Sequence, residues 1–138
     1  MKISKENIKS FIPQREPFIM IDNLLDASQT KFESNFHVTN ENIFLKNEIL
    51  LEPALIENIA QTCAAGFGFV QSQFEGKPRL GFIGAVSKLE VHSLPKVNST
   101  INTHVVVTHQ LDNIFLVKGE NFCNGKKLLE CEMKIVVN

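Results

Sequence analysis

The chain has 138 residues and a formal net charge of −1, with 43% hydrophobic and 21% charged residues. This length and composition fit a single soluble globular domain, residues 1–138, large enough to fold around its own core. The net charge is nearly neutral, so the chain lacks the excess of basic residues that is typical of proteins that bind nucleic acids or membrane surfaces. We therefore expect no nucleic-acid partner.

The N-terminal residues lack the apolar run and the small-residue cleavage site of a signal peptide. Cys63, Cys123 and Cys131 are widely spaced and lie in apolar or strand-like surroundings. This pattern predicts reduced thiols in the cytoplasm, not a disulfide framework. The sequence has no Cys-x-x-Cys or His-x-x-x-His spacing, so we expect no metal site.

Hydrophobic periodicity predicts the elements of the first third of the chain. A short helix is expected over residues 5–11, and a strand-like pattern follows over residues 18–26. Residues 30–39 place Phe32 and Phe36 on one face and charged or polar side chains on the other. This alternation is typical of a half-buried strand.

The next segment, residues 53–70, predicts a long apolar helix with Pro53 in its first turn, where a missing N–H is tolerated. Its length of about 27 Å is close to the thickness of the hydrocarbon core of a bilayer, so the helix could be mistaken for a membrane span. Polar side chains near its middle and polar flanking segments instead favour a central core helix. Those polar side chains are Glu57, Asn58, Gln61 and Thr62.

Strand patterns fill the rest of the chain. Residues 84–91, 101–109 and 113–122 alternate, and Asn124-Gly125 predicts a hairpin into a last strand over residues 126–137. The grouping of strands apart from one helix predicts an α+β fold with an antiparallel sheet curled around the helix. One sheet cannot enclose a helix that is apolar nearly all round, so we expect a dimer.

The four polar residues of the helix form one stripe, because at about 100° per residue they span roughly 140° of its circumference. Gln61 lies one turn after Glu57 and can orient its carboxyl group by a hydrogen bond. A carboxyl group in an apolar tunnel is expected to have a raised pKa, which suits a general acid or base. The alternative is that the stripe only satisfies backbone groups at a dimer seam.

Four stretches lie in this order along the chain: IPQREPFIMIDNLLD, ALIENIAQ, LEVHSLPKVNSTI and NGKKLLECEMKIVV. They resemble motifs of bacterial 3-hydroxyacyl-acyl-carrier-protein dehydratases of the hot-dog fold. The opening family motif Leu-Pro-His-Arg-x-Pro-Phe is similar to the start of the first stretch, and an acidic residue followed four positions later by Gln is similar to the second.

The resemblance implies a dimeric hot-dog fold and action on thioesters of an acyl carrier protein, in fatty-acid or polyene biosynthesis. In the family mechanism a His abstracts the α-proton, and a carboxyl group of the other subunit protonates the leaving hydroxyl. Glu57 takes the place of that acid and Gln61 orients it. No cofactor is implied beyond the phosphopantetheine arm of the carrier, which is part of the substrate.

Other candidate residues follow from the same resemblance. The amides of Ala54 and Leu55 at the helix start would polarise the thioester carbonyl. Asn58 and Asn42 are candidate substrate contacts, and Gly84 would let the pantetheine arm pass close to its strand. Carrier proteins are acidic, so the candidate docking cations are Arg15, Lys77, Arg79 and Lys88.

One part of the family pattern is missing. The family carries a His-Phe-Pro-Gly loop before the helix, whereas the ungapped equivalent of its His is Ile43 here. In this respect the chain resembles the dehydratase-like branch of aryl-polyene and related pigment pathways. His37 is the candidate substitute base, although its place on the polar side of its strand favours an exposed residue without a catalytic role. His92, His104 and His109 are interpreted as structural.

Three functions therefore stay open. The first is a dehydratase of carrier-bound 3-hydroxyacyl groups, as a homodimer or a heterodimer with a related chain. The second is an inactive acyl-carrier-binding subunit that pairs with a dehydratase carrying the histidine. The third is a thioesterase on the same fold, in which the helix carboxylate activates water.

Overall fold

The computed structural model describes residues 1–75 and 81–137. A 3-10 turn at Ile8–Ser10 precedes one long helix and eight strands. In chain order these elements are β1 (Asn23–Ala27), β2 (Lys31–His37), β3 (Leu45–Lys46), β4 (Ile49–Leu50), α1 (Glu52–Glu75), β5 (Gly81–Val91), β6 (Thr100–Leu111), β7 (Ile114–Cys123) and β8 (Lys126–Val137).

Six strands form one antiparallel sheet in the order β1-β2-β6-β7-β8-β5, and β3 pairs with β4 in a separate small hairpin. The curved sheet packs against α1. Inward side chains of the strands and the apolar side chains of α1 form a single core cluster. The predicted α+β architecture, with one helix covered by a curved antiparallel sheet, is confirmed.

The last hairpin follows the sequence prediction. Asn124 and Gly125 both have positive φ angles, 52° and 77°, as a two-residue turn between strands of this twist requires. Along β8, alternate residues from Leu129 to Val137 are buried, and Glu130, Glu132 and Lys134 lie on the other face. That face of β8 is the solvent-facing side that the alternation predicts.

Three predicted elements differ from the structure. The helix extends to Glu75 instead of ending near residue 70, and the predicted N-terminal helix is a 3-10 turn. Residues 18–22 belong to no strand, because Phe18 and Met20 direct backbone groups to side chains of α1 and not to a neighbouring strand. The first strand therefore begins at Asn23.

Two glycines allow the sheet and the helix to approach closely. A Cβ atom added to Gly119 of β7 would lie 2.3 Å from Cγ2 of Ile59 on α1. A Cβ atom added to Gly66 of α1 would lie 2.3 Å from the ring of Phe32 on β2. Because real Cβ contacts are never this short, any larger residue would push the helix away from the sheet.

The edge strand β5 is exposed along nearly its whole length in the single chain. The alternation of residues 84–91 predicted one buried face, but apolar side chains on both faces are open to solvent. Their exposed fractions are 52% for Phe82, 42% for Ile83, 41% for Val86, 44% for Leu89 and 45% for Val91. An apolar edge of this kind is a surface for strand pairing.

The helix α1 does not have the apolar length of a membrane span, and the same holds for the 3-10 turn, the other helical segment within residues 1–75 and 81–137.

We predict that Gly119→Ala lowers the free energy of unfolding by about 1–3 kcal/mol, because the new methyl group overlaps Ile59. Urea unfolding followed by circular dichroism measures this. Gly84→Ala is the matched control, since its Cβ atom would meet Lys134 at an ordinary contact distance of 3.6 Å. Equal costs for the two variants would contradict the prediction.

Candidate active site

The side-chain amide of Gln61 uses all its hydrogen-bonding groups at once. Its Oε1 accepts from the backbone N–H of Met20 at 2.6 Å, and its Nε2 donates to the Phe18 carbonyl at 2.8 Å. The same Nε2 donates to Oε2 of Glu57 at 2.8 Å. The hydrogen bond predicted from the one-turn spacing is therefore present, and backbone groups on the other side fix the amide that makes it.

Asn58 and Thr62 lie beside Gln61 and are completely buried. Asn58 donates to the Met20 carbonyl at 2.7 Å and accepts from the Thr103 hydroxyl. Thr62 donates to the Asn58 carbonyl at 2.7 Å, and its oxygen lies 2.7 Å from Oγ of Ser34. These contacts use the Asn58 amide inside the core, where it is not free for the substrate contact expected from the family resemblance.

Glu57 is the half-buried member of the stripe. Among the described residues, Gln61 is its one hydrogen-bonding partner, and no cation pairs with it. The carboxyl group thus has a fixed orientation and an oxygen to spare. Three members of the stripe therefore satisfy internal polar groups, and Glu57 keeps one oxygen without a partner among the described residues.

The helix start carries the amides predicted to polarise a carbonyl. Ala54 and Leu55 are buried, with exposed fractions of 1% and 0%. The Ala54 N–H donates to the Leu51 carbonyl at 3.1 Å. A substrate carbonyl at Ala54 would have to replace this contact.

Asn42 and Gly84 lie in different parts of the fold. Asn42 caps a turn before β3, where its Oδ1 accepts from the Phe44 N–H at 2.9 Å and its Nδ2 contacts Sδ of Met20 at 3.3 Å. Gly84 lies in β5, where the pairing with β8 shifts register between Ile83 and Ala85. A bulge at an edge strand is a typical place for a glycine that lets another chain approach.

The structure brings no histidine of the chain into contact with Glu57, and all four histidines lie within the described ranges. His37 ends β2, with its ring 3.2 Å from Oγ1 of Thr100. The other three rings contact outer-face groups of the sheet, namely Glu130 for His92, Glu33 for His104 and Thr108 for His109. One subunit therefore presents a carboxyl group without an imidazole.

Two of the candidate docking cations already have partners. The exposed Arg15 donates to the carbonyls of Ile12 and Gln14, at 2.8 and 2.7 Å. Lys88 pairs with Glu132 at 3.5 Å and stays 75% exposed. Lys77 and Arg79 lie outside the described residues.

Sequence reasoning missed two buried partners of the helix. Thr103 in β6 and Asn121 in β7 occupy inward positions, and each is 0% exposed. Thr103 donates to Oδ1 of Asn58, and Asn121 donates to the Leu55 carbonyl at 3.0 Å. The sequence does carry a sign of these partners, because each is a polar residue at an inward position of an otherwise apolar strand face. A buried polar residue of this kind requires a hydrogen-bonding partner.

The cysteines give no reactive centre in the core. Cys63 and Cys131 are buried and, like the half-buried Cys123, are unbridged. Burial raises the pKa of Cys63 above its usual range and raises the pKa of Cys131 to about 11. Both thiols are therefore neutral at physiological pH and poorly nucleophilic.

A charged cluster crosses the outer face of the sheet. Glu90, His92 and Glu130 place potential metal-ligand atoms within 4.8 Å of one another. Lys127 also contacts Glu130 at 3.1 Å and pairs with Glu120, so cationic groups already occupy the cluster. Hydrogen bonds from His92 and then Lys127 hold the pKa of Glu130 below its usual range.

A family model described as ApeP-like, ApeP dehydratase, matches residues 6–137 of the chain. The chain belongs to this ApeP-like dehydratase family. It is also 26% identical over 143 residues to the 3-hydroxyacyl-(acyl-carrier-protein) dehydratase FabZ of Clostridium kluyveri, covering 99% of this chain and 97% of that enzyme.

Solved structures confirm the hot-dog fold. The dehydratase heterocomplex ApeI:P from Xenorhabdus doucetiae matches with a TM-score of 0.84 at 15% identity, over 95% of this chain and 90% of that one. A hypothetical thioesterase with coenzyme A from Streptococcus pneumoniae matches with a TM-score of 0.70 at 9% identity, over 84% of both chains. At these identities the matches concern the fold and not the activity.

We predict that Gln61→Leu lowers the free energy of unfolding by about 2–4 kcal/mol, because it leaves the Met20 N–H and the Phe18 carbonyl without partners. Glu57→Gln should cost less than about 1 kcal/mol, because the new amide oxygen still accepts from Gln61. Urea unfolding of both variants tests this. Similar costs would show that Glu57 belongs to the structural network.

The lowered pKa of Glu130 leads us to predict that the stability of the protein depends on pH. A folded-state pKa below the unfolded value means that the unfolded chain binds more protons in acid, so this stabilisation is present above the unfolded pKa. It is lost as the pH falls through the folded pKa. We expect Glu130→Gln to lower the melting temperature at neutral pH, and the difference from the wild type to shrink towards about pH 3.

The control for this measurement is Glu41→Gln, which removes the same charge from an exposed position outside the cluster. Its melting temperature should follow that of the wild type across the same range. A Glu130→Gln difference that persists unchanged in acid would contradict the assigned role.

Proposed function

We propose that this chain supplies the proton-donating half of a two-subunit dehydratase that acts on carrier-bound 3-hydroxyacyl thioesters. Glu57 is the acid, and a second hot-dog chain supplies the imidazole base. The observation that carries the proposal is the state of Glu57, whose carboxyl group is oriented by Gln61 and has no imidazole partner among the described residues. The relatedness to FabZ supports the substrate class.

The chemistry divides between the two subunits. The partner's base removes the α-proton, and the electron pair of that C–H bond forms the new double bond between the α- and β-carbons. The β-carbon–oxygen bond breaks as Glu57 donates its proton to the leaving hydroxyl, which departs as water. The proton then passes from the base back to the carboxylate, and the pair is restored.

The remaining residues of the site support binding. The N-terminus of α1, at Ala54 and Leu55, would place positive dipole charge at the thioester carbonyl as negative charge develops there. Asn42 and Gly84 are proposed contacts of the substrate and the pantetheine arm. Arg15, Arg79 and Lys88 are proposed docking cations for the acidic carrier protein.

The edge strand β5 is the proposed pairing surface for the second chain. It combines unpaired edge backbone with five exposed apolar side chains on both faces. Pairing through β5 would cover these side chains and remove water from the open side of α1. The ApeI:P structure, which is a dehydratase heterocomplex containing a chain of this fold, supports a mixed pair.

The decisive experiment supplies 3-hydroxyacyl-carrier protein to the purified chain, alone and co-expressed with a histidine-bearing hot-dog dehydratase. Mass spectrometry of the acyl group follows the loss of water. We predict no turnover by the chain alone, turnover by the mixed pair, and at least a hundredfold lower rate for the pair carrying Glu57→Gln, the loss typical of a removed general acid.

Glu52→Gln is the matched control, because it removes the other described carboxyl group near the start of α1. It should retain the rate of the mixed pair. A mixed pair unaffected by Glu57→Gln would show that this chain is an inactive partner subunit. Release of the free acid would instead identify a thioesterase, the third function that the sequence left open.

A further inference from the structure

A cavity of about 180 Å³ lies between α1 and the edge strand β5. Its described walls include Ala60 and Ala64 of α1, Phe82 of β5, and Gln14 of the N-terminal segment. Ala60 and Ala64 follow Glu57 by three and seven residues, so all three lie on one side of the helix. The cavity therefore lies on the same side of α1 as Glu57, about one turn further along the helix.

Gln14 places an unused acceptor in these apolar surroundings. Its Oε1 is shielded from solvent and has no hydrogen-bonding partner among the described residues. A buried acceptor without a partner costs about 1–3 kcal/mol, so native structures keep few of them. This residue takes the place of the His in the family motif quoted above, and its own backbone carbonyl accepts from Arg15 at 2.7 Å.

No hydrogen bond within the described chain satisfies this oxygen. The neighbouring Cys63 thiol also lines the cavity, but it makes no hydrogen bond to Gln14 within the described structure. Gln14 is the one amide among the described wall side chains, and none of those side chains is charged.

We propose that Gln14 determines acyl-chain specificity by accepting a hydrogen bond from a hydroxyl group that the chain carries beyond its reacting carbons. This inference rests on the proposed function, since it assigns the cavity to the acyl group of that substrate. Such a site favours a hydroxylated chain over a plain alkyl chain, because the plain chain leaves Oε1 without a partner. Discrimination of this kind is stronger than a methylene group alone provides.

The test measures binding and does not depend on turnover. Pantetheine acyl amides, in which an amide replaces the thioester, are prepared as plain alkyl chains and as matched chains with a terminal hydroxyl, over a series of lengths. Calorimetry gives their Kd for the full chain, alone and with the co-expressed partner. We expect one chain length at which the hydroxyl tightens binding by about tenfold to a hundredfold.

Three variants interpret the result. Gln14→Met keeps the side-chain size without the acceptor and should abolish the hydroxyl preference while plain chains still bind. Gln14→Glu keeps an acceptor and should retain the preference. Gln29→Met, an exposed glutamine outside the cavity, should behave as the wild type.

Several outcomes would overturn the proposal. One is the absence of a hydroxyl preference at every length, and another is a preference that survives Gln14→Met. A third is weaker subunit association in Gln14→Met with an unchanged preference, which would assign the acceptor to the interface. Dehydration without a hydroxyl preference refutes the specificity role alone, whereas a preference without dehydration refutes the proposed activity alone.

Discussion

The fold depends on a single amide inside its core. Gln61 has one acceptor and two donors, and the Met20 N–H, the Phe18 carbonyl and Glu57 use all three. Because the Met20 N–H requires an oxygen, the amide cannot turn over, and its nitrogen must face the carboxyl group. The interaction that fastens the N-terminal segment to the helix therefore also fixes the orientation of the candidate acid.

The packing of the helix decides where a ligand can reach that acid. Gly119 and Gly66 allow the sheet to approach one side of α1 so closely that this side has no room for a ligand. The side that carries Glu57, Ala60 and Ala64 faces the end of the sheet where β5 has no neighbour. One side of α1 therefore packs against the sheet and stabilises the fold, whereas the opposite side leaves room for a ligand to reach Glu57. A second subunit would cover that open side.

Sequence patterns predicted the secondary-structure elements better than they predicted which groups the side chains contact. The alternation of β8 and the Asn124-Gly125 turn depend on local geometry, and the structure has both. Periodicity shows which way a side chain points but not which group it meets. It therefore could not reveal that Asn58 bonds to Thr103, or that the backbone of Phe18 and Met20 bonds to side chains of α1. For the same reason the alternation of β5 could not reveal that apolar side chains on both of its faces are exposed in the single chain.

Because this chain lacks the histidine, a mixed pair would contain one complete catalytic site instead of two. In a symmetric hot-dog pair that takes its base from one subunit and its acid from the other, two copies of this chain would form two sites that both lack an imidazole. If a histidine-bearing partner replaces one copy, one of the two sites gains a complete set, and Glu57 belongs to that site. The other site, with the partner's acid facing the region of Ile43, stays without a base. Under the proposed function, the activity of such a pair would therefore depend on the carboxyl group of this chain and not on the one that its partner carries.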